Sequence, residues 1–536
     1  MSRPTAILRR LLIFVHRWLG VALSVIFLIW FVSGIVMMYW GFPGVTERDR
    51  LARAPVLDPA RITLSADAAR ATLGLEESPG QVSLSSFDGR PVYTLAGGAM
   101  VYADDGTMPG EVGDAMIDRA AAAWAGQPID AATRTSVEEV DQWTVGGLRA
   151  VRPLYKYAWP DGQQVYVNGH TAEVVQYTTT SSRFWAYLGA IPHWLYFTPL
   201  RKHQSQWFSF VVYSSLIGTV AALMGVVIAV WMYSPRKRYR HSGAPTSIPY
   251  RGWKRWHAIA GLFFGIVTTT WAFSGLLSMG PFPIMDRLTE LTVPSEPPRD
   301  EGASGDQRVR GPRRGGRGGG VAAALRGRGR LDLASYDARH PGEAIAALPD
   351  FDVKELELTS FAGEPVYLAS NGRGDTRIVP LQGEPMSSLP QDEVMQVVRD
   401  AANGNLAELR LMEEYDAYYL DRRGERPLPV IYARMNDAVN TRYYIDPKTA
   451  RVVGTYSARN WVNRWLYHGL HSLDFPWLYN YRPLWDIVVI TLMLGGTALC
   501  MTSIVLTWRV LSRRIATLVR ARFSPVNEDL ALDTER

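Results

Sequence analysis

The chain has 536 residues, of which 47% are hydrophobic and 20% charged, and its formal net charge is +6. Four stretches without Asp, Glu, Lys, Arg or His each exceed the roughly 20 apolar residues that cross about 30 Å of hydrocarbon. They are residues 18–46, 204–235, 258–285 and 487–508. A wholly soluble protein is excluded, and so is a wholly membrane-buried one. The single cysteine, Cys500, excludes an intrachain disulfide, a CxxCH haem attachment and a thiolate zinc cluster.

Positive charge predicts how the chain crosses the membrane. Lys and Arg cluster before the first stretch, between the second and third, and after the fourth, so the positive-inside rule makes these segments cytoplasmic. In chain order we predict an N-terminus with a first span (1–41), an extracytoplasmic domain (42–203), a second span (204–235), a cytoplasmic loop (236–253), a third span (254–285), a second extracytoplasmic domain (286–483), a fourth span (484–508) and a cytoplasmic tail (509–536). The chain is then a multi-pass membrane protein with both termini cytoplasmic. We attribute part of its positive charge to residues that anchor the spans in the lipid bilayer, and we expect no nucleic acid partner.

The two extracytoplasmic segments have the pattern of mixed helix and sheet. Residues 82–98 and 163–179 alternate apolar and polar side chains, and an Asp-Gly or Asn-Gly turn interrupts each run. Ser65 precedes a small-residue helical pattern and is a plausible N-cap. These patterns predict α+β domains, with helices packed on antiparallel sheet.

The sequence also contains an internal duplication. Residues 16–20 recur as 257–261 and residues 30–34 recur as 271–275, both 241 positions later. Two further matches have larger offsets: residues 85–93 match 359–367 at an offset of 274, and residues 166–175 match 444–453 at an offset of 278. The fold class predicted is therefore an α+β membrane protein, a four-helix bundle built from two parallel repeats that each carry one extracytoplasmic domain. The Arg/Gly-rich stretch 299–330 has no counterpart in the first half, and we interpret it as a disordered insertion.

Four of the nine histidines occupy matching positions in the two repeats. His16 matches His257 near the predicted cytoplasmic side, and His193 matches His471 near the opposite side. A two-fold axis brings the members of each pair face to face, and two imidazoles facing across a four-helix bundle suit a six-coordinate b-type haem. Zinc is disfavoured, because neither pair has a carboxylate or cysteine beside it.

Several alternatives accompany this ligand prediction. His468 lies one helical turn from His471 and is an alternative outer ligand, whereas symmetry argues against His203. We interpret the remaining candidates as surface residues: His170, His241 and His340. Glycines 20 and 34 share a helical face with His16, as glycines 261 and 275 do with His257, which suits either close approach of a macrocycle or ordinary helix packing.

The repeated His-Arg-Trp-Leu-Gly and Trp-x-x-Ser-Gly motifs, with a histidine before each return helix, resemble the PepSY-associated transmembrane proteins. The segments 165–175 and 443–453 are similar to PepSY domains, although Ala172 and Ala450 replace a turn glycine. Members with this architecture include inner-membrane di-haem reductases of ferric siderophores. The resemblance implies two b-type haems per chain, held by four ligands: His16, His257, His193 and His471.

The expected function is electron transfer from the cytoplasmic side to an extracytoplasmic ferric chelate. No nucleotide-binding module is visible, because the glycines at 315–320 lack the strand and helix of a dinucleotide site. The electron donor must then be a separate reductase, a soluble carrier or a membrane quinol. Arg152, Arg201 and Arg482 lie near the level of the outer pair and are candidates to hold haem propionates or anionic chelates, but we expect each to be a solvated surface residue. The alternatives are a membrane-anchored sensor or protease-regulating module and, more weakly, a transporter.

Overall fold

The computed structural model describes residues 3–76, 80–241, 244–280, 320–326, 331–421, 424–461 and 463–523. The chain divides into two compact units. Residues 1–42, 185–282 and 465–536 form the helical unit, and residues 43–184 and 283–464 form the sheet unit. Most of the stretch 299–330 lies outside the described residues.

The described helices are α1 (Arg3–Met37), α2 (Glu47–Arg53), α3 (Ala66–Thr72), α4 (Asp114–Ala125), α5 (Thr180–Leu188), α6 (Ala190–Trp194), α7 (Thr198–Arg201), α8 (Gln204–Met232), α9 (Trp253–Ser278), α10 (Val321–Leu325), α11 (Pro341–Ala346), α12 (Gln391–Ala402), α13 (Leu470–Ser472), α14 (Pro476–Tyr479) and α15 (Leu484–Phe523). A π-helical segment, Asn463–Gly469, precedes α13.

The described strands are β1 (Val82–Phe87), β2 (Arg90–Thr94), β3 (Met100–Tyr102), β4 (Thr133–Ser136), β5 (Leu154–Ala158), β6 (Gln164–Asn168), β7 (Val174–Thr178), β8 (Tyr239–His241), β9 (Ala244–Thr246), β10 (Glu355–Phe361), β11 (Glu364–Ser370), β12 (Thr376–Pro380), β13 (Leu406–Met412), β14 (Val430–Met435), β15 (Arg442–Asp446) and β16 (Arg451–Tyr456). The predicted mixture of helix and sheet is confirmed.

Four helices of the helical unit, α1, α8, α9 and α15, are long and apolar enough to cross a membrane. These four candidate spans coincide with the charge-free stretches, although α15 continues as helix to Phe523, well past the apolar stretch. Helices α1 and α9 each pack against both α8 and α15, so α1 and α9 lie diagonally across the bundle. Phe27, Phe31 and Trp271 belong to the buried cluster between them.

The sheet unit contains a six-stranded sheet in the order β12-β11-β10-β1-β2-β3. Strands from the two predicted extracytoplasmic segments meet at its centre, where β1 pairs antiparallel with β10. Ser83 lies opposite Glu357, and these two positions differ by 274, the offset of the sequence repeat in this region. The two segments therefore share one sheet and one core.

Two further four-stranded sheets, β4-β5-β6-β7 and β13-β14-β15-β16, complete the sheet unit. Helix α4 packs on the first of these sheets and α12 on the second. The predicted hairpin turns at 88–89 and 168–169 are confirmed, since β1 pairs with β2 and β6 with β7. Ser65 caps α3 as predicted, because its side chain accepts a hydrogen bond from the Ala68 amide.

The two alanines that replace a turn glycine both have a backbone angle φ of +52°. They are Ala172, in the turn between β6 and β7, and Ala450, in the turn between β15 and β16. The left-handed region is accessible to glycine without a Cβ penalty but disfavours alanine. The glycine typical of PepSY turns is therefore explained by this backbone conformation, which the chain retains despite the substitution.

The interpretation of residues 299–330 as wholly outside the fold is wrong at its C-terminal end. Residues 321–325 form α10, and the side chains of Val321 and Leu325 are each only 1% exposed. They are four positions apart, so both lie on one face of the short helix, and they pack in a buried cluster with Ile378 and Val394. The high Arg and Gly content of the stretch masked this apolar pair.

Candidate functional site: two histidine pairs in the helical bundle

The first histidine pair consists of His16 on α1 and His257 on α9. Their ring centres are 6.2 Å apart and their planes are inclined by 36°. Because α1 and α9 are diagonal in the bundle, the two imidazoles approach each other across its interior. The structure thus brings together two residues that are 241 positions apart in the chain.

The second histidine pair consists of His193 on α6 and His471 on α13. Their ring centres are 6.1 Å apart, with planes inclined by 67°. These two residues are carried by short helices, α6 packing on α1 and α13 on α9. The structure therefore places His471, and not His468, opposite His193.

Hydrogen bonds at Nδ1 orient the two histidines that face backbone carbonyls. Nδ1 of His16 lies 2.9 Å from the Ala221 carbonyl oxygen, and Nδ1 of His193 lies 3.1 Å from that of Trp30. A carbonyl only accepts, so each Nδ1 must donate, and in a neutral ring the lone pair is then on Nε2. Burial lowers the pKa of His193, which lies on a short helix between the spans, to about 4. This ring is therefore neutral near pH 7.

The other two histidines face hydroxyl groups that also lie within hydrogen-bond distance of a carbonyl in their own helix. Nδ1 of His257 lies 3.0 Å from Oγ1 of Thr502, and this hydroxyl donates to the Leu499 carbonyl. Nδ1 of His471 lies 3.1 Å from Oγ of Ser274, which donates to the Trp271 carbonyl. Each hydroxyl oxygen can then accept a hydrogen bond from Nδ1, and this arrangement puts the ring's lone pair on Nε2. The contacts at Nδ1 of all four histidines are therefore compatible with the tautomer that presents Nε2 as a metal ligand.

The glycines near the pairs fall into two groups. A Cβ built on Gly225 of α8 would lie 2.7 Å from Cε1 of His16, and one on Gly34 would lie 3.4 Å from Cε1 of His193. By contrast, a Cβ on Gly20 or Gly261 would meet no atom within 4 Å. Gly225 therefore makes room for the His16 ring, whereas the tightest contact at Gly34 would be with Met493, at 3.1 Å. Packing between the described residues does not require glycine at 20 or 261.

A cavity of about 100 Å³ surrounds the second pair. The indole Nε1 of Trp271 is buried and has no hydrogen-bond partner among the described residues. The lining residues are mainly apolar and aromatic: Phe27, Trp30, Phe31, His193, Val211, Ser215, Thr268, Trp271, Ala272, Gly275, His471 and Met493.

The separation of the rings in each pair fits one iron atom between them. Metal–imidazole bonds of about 2 Å, plus roughly 1 Å from nitrogen to ring centre on each side, put two axial imidazoles roughly 6 Å apart. The centre-to-centre distances of 6.2 and 6.1 Å match this value. A haem needs only two axial ligands from the protein, since its porphyrin supplies the others, so the residues present fit this group at both pairs.

The remaining histidines lie elsewhere. His468 belongs to the π-helical segment, and its side chain is 45% exposed, with Nδ1 4.0 Å from Asp474. His170 and His203 are exposed, and for His241 only the backbone, in β8, is described. The interpretation of His340 as a surface residue is wrong: Nδ1 accepts from the Gly342 amide at the start of α11, and Nε2 is buried.

The three arginines expected to be solvated differ from one another. Arg152 is partly exposed and donates to the carbonyl oxygens of Val151 and Glu138. Arg482 forms an ion pair with Asp486. Arg201, however, is only 6% exposed, so the expectation of a solvated side chain is wrong for this residue. Aromatic rings cover its guanidinium group, as described below.

Sequence reasoning missed the groups that orient the histidines. Ser33 and Ser274 are the serines of the repeated Trp-x-x-Ser-Gly motif. Their recurrence at the same position of both repeats is the sequence feature that could have identified them. Ser33 supplies a second contact for Nδ1 of His193, at 3.2 Å. The carbonyl groups of Trp30 and Ala221 had no signal, because any residue type offers the same backbone oxygen.

These features define a membrane protein of mixed helix and sheet, whose four candidate spans enclose two facing histidine pairs. The family model of the PepSY-associated TM region matches residues 13–370, more than half of the chain. The protein therefore belongs to the PepSY-associated TM family. The match includes His16, His193 and His257 and ends before His471. No curated protein matches the chain.

Proposed function

We propose that the protein is a transmembrane electron carrier that binds two b-type haems, one between His16 and His257 and one between His193 and His471. The single observation that carries this proposal is a shared contact: four half-buried histidines, in two facing pairs, each have an oxygen that can accept a hydrogen bond within 3.1 Å of Nδ1. A histidine that binds a metal almost always has such a partner on its other ring nitrogen.

The bound haem supplies reversible one-electron reduction. The protein residues hold the ligand nitrogens in place, through the Ala221 and Trp30 carbonyls and the Thr502 and Ser274 hydroxyls. Aromatic and aliphatic side chains between the pairs exclude water from the bundle interior. Orientation and a low-dielectric surrounding are the contributions that a protein makes to such a cofactor.

The distance between the pairs supports a role across the membrane. Ser33, which contacts His193, follows His16 by 17 residues on α1, and Ser274, which contacts His471, follows His257 by 17 residues on α9. Seventeen residues of helix rise about 25 Å, most of the roughly 30 Å of hydrocarbon. Two sites at these depths divide the bilayer into shorter steps for an electron.

The direction and the acceptor are further parts of the proposal. The clusters of Lys and Arg at the ends of the spans favour a cytoplasmic location for both termini, so the second pair lies toward the extracytoplasmic side of the bacterial inner membrane. A separate cytoplasmic reductase, carrier or membrane quinol supplies electrons to the first pair. A ferric chelate, such as a siderophore complex, is the proposed acceptor, because one electron weakens the chelate without any bond-making by the protein.

The test is the spectrum and haem content of the full-length protein purified in detergent. We expect a reduced b-type spectrum and about two haems per chain. Reduced protein in proteoliposomes should then be reoxidised by a ferric chelate added from the extracytoplasmic side. A colourless protein that gains no haem on reconstitution would refute the proposal and favour a sensor or protease-regulating role. Haem-loaded protein that ferric chelates do not reoxidise would refute only the acceptor.

A further inference from the structure

Arg201, the last residue of α7, carries a buried positive charge that no described carboxylate neutralises. The guanidinium group of Arg201 is 4.3 Å from the ring centre of Trp207 and 4.8 Å from that of Tyr196. Its Nη1 donates to Oε1 of Gln204 over a long 3.4 Å. Its Nε is buried and has no partner among the described residues. A buried charge is costly unless it is paired.

In the second half of the helical unit, the arginine that covers the matching tryptophan is neutralised, although it comes from a different position of the repeat. Trp485 lies 278 positions after Trp207, and the two indoles make the same contact, donating to the carbonyl oxygens of Ser472 and Trp194 respectively. Arg482 covers the Trp485 ring at 4.9 Å, but there Asp486 accepts two hydrogen bonds from the guanidinium group. The residue at the offset of Asp486 in the first half is Phe208. The first half therefore has the cation and the aromatic platform without the anion.

The surroundings of Arg201 favour an anionic oxygen group from outside the chain. Arg201 is the last residue of α7, two residues separate it from the start of α8, and the N-cap residue of α8, His203, makes no side-chain capping hydrogen bond. The first turn of a 29-residue helix presents backbone N–H groups and the positive end of the helix dipole. An arginine fork beside such a turn is suited to a carboxylate or a phosphate.

We propose that Arg201 and the first turn of α8 bind a carboxylate or phosphate group. Two sources share this chemistry. One is the propionate of the cofactor at the second pair. The Trp207 ring, which the Arg201 guanidinium group covers, donates a hydrogen bond to the carbonyl oxygen of Trp194, the residue that follows His193. The other is the phosphate of a membrane lipid. Only the first source rests on the proposed function.

The experiment compares full-length wild-type protein with Arg201→Gln, Arg201→Lys and Lys202→Gln. Lys202→Gln is the matched control, because it removes an exposed positive charge from the adjacent position. Arg201→Lys keeps the charge but loses the fork, and it covers the case in which Arg201→Gln fails to fold. The first measurement is the midpoint potential of each haem. The second is the amount of phosphatidylglycerol that the protein retains relative to phosphatidylcholine. For this measurement the protein is exchanged into nanodiscs of mixed lipids, released into detergent and analysed by native mass spectrometry.

If the anion is a propionate, Arg201→Gln lowers the midpoint potential of the haem at the second pair alone, since a positive charge favours the reduced form. If it is a lipid phosphate, the preference for phosphatidylglycerol falls roughly tenfold or more, the scale of a charge-assisted hydrogen bond. Either result supports the site. Variants of Arg201 that match Lys202→Gln in both readouts overturn it. A wild-type protein without haem refutes the proposed function, and lipid retention alone then decides this inference.

Discussion

The two histidine pairs have nearly the same ring separation but are built differently. His16 and His257 belong to the long helices α1 and α9, and the adjacent helices α8 and α15 supply their acceptors, Ala221 and Thr502. In the second pair the long helices α1 and α9 supply the hydrogen-bond acceptors, and short helices carry the histidines. His193 is carried by a short helix, and α1 supplies its acceptors. The geometry of two facing imidazoles is therefore reached by two separate constructions.

This difference determines which positions are sensitive to substitution. The first pair depends on the packing of whole helices, so bulk added between α1 and α8 should displace it. The second pair depends on hydrogen bonds from α1 and α9 to short segments, so loss of a hydroxyl should loosen it. In both pairs a hydrogen bond to the second ring nitrogen fixes each histidine, as is usual for histidines that bind a metal. Substitutions at the helix contact and at the hydroxyl groups should therefore affect different pairs.

The largest effect is expected from removal of a ligand. Either His16→Ala or His257→Ala should abolish binding of one of about two haems, and either His193→Ala or His471→Ala should abolish the other. Pyridine haemochrome assays with potentiometric titration of each variant would measure the content and identify which haem remains. His468→Ala is the control, since its side chain does not face His193, and it should retain both haems. Loss of haem in His468→Ala with full content in His471→Ala would contradict the pairing.

The next largest effect is expected at Gly225. The Cβ of any side chain there would lie 2.7 Å from Cε1 of His16, so Gly225→Leu must push the ring or helix α8 aside. Overpacking of this kind costs about 1–3 kcal/mol in the free energy of unfolding. We expect most of the haem at the first pair to be lost and the haem at the second pair to remain, as measured by haem content and redox titration.

Val227→Leu provides the control for that variant. Val227 lies on the same helix and is 43% exposed, so a larger side chain there has room. Equal haem loss in Gly225→Leu and Val227→Leu would show that the effect comes from α8 as a whole and not from the close approach of Gly225 to His16.

The spans were predictable from the sequence, because uncharged stretches of this length are stable only in hydrocarbon or a large core. The pairing of the histidines also followed from the repeat offsets. The pairing of β1 with β10 did not, because a strand gives no sign of which distant edge it will join, and Ser83 and Glu357 are 274 positions apart. Burial of Arg201 was equally hidden, since it depends on where Tyr196 and Trp207 fold over its side chain.

Loss of a single hydroxyl should have a smaller effect than loss of a ligand. Ser274→Ala removes the oxygen that accepts from Nδ1 of His471, and loss of such a partner typically weakens metal binding about 10- to 100-fold. Haem dissociation from the second pair, measured by transfer to apomyoglobin, should accelerate by this order. Ser278→Ala is the control: its hydroxyl is exposed and donates within α9, to the Gly275 carbonyl. Unchanged haem dissociation in Ser274→Ala would show that this hydroxyl does not hold the ligand.

The smallest effect is expected for Ser33→Ala, the counterpart of Ser274→Ala in the repeat. Nδ1 of His193 lies 3.2 Å from the Ser33 hydroxyl but also 3.1 Å from the Trp30 carbonyl. The carbonyl remains in the variant and keeps the proton on Nδ1, so the ring retains both its tautomer and its orientation. A neutral hydrogen bond contributes about 0.5–1.5 kcal/mol, and with one acceptor left we expect haem dissociation from the second pair to accelerate less than tenfold. The same transfer assay measures both serine variants. A greater loss in Ser33→Ala than in Ser274→Ala would mean that the serine, and not the backbone of α1, fixes the His193 ring.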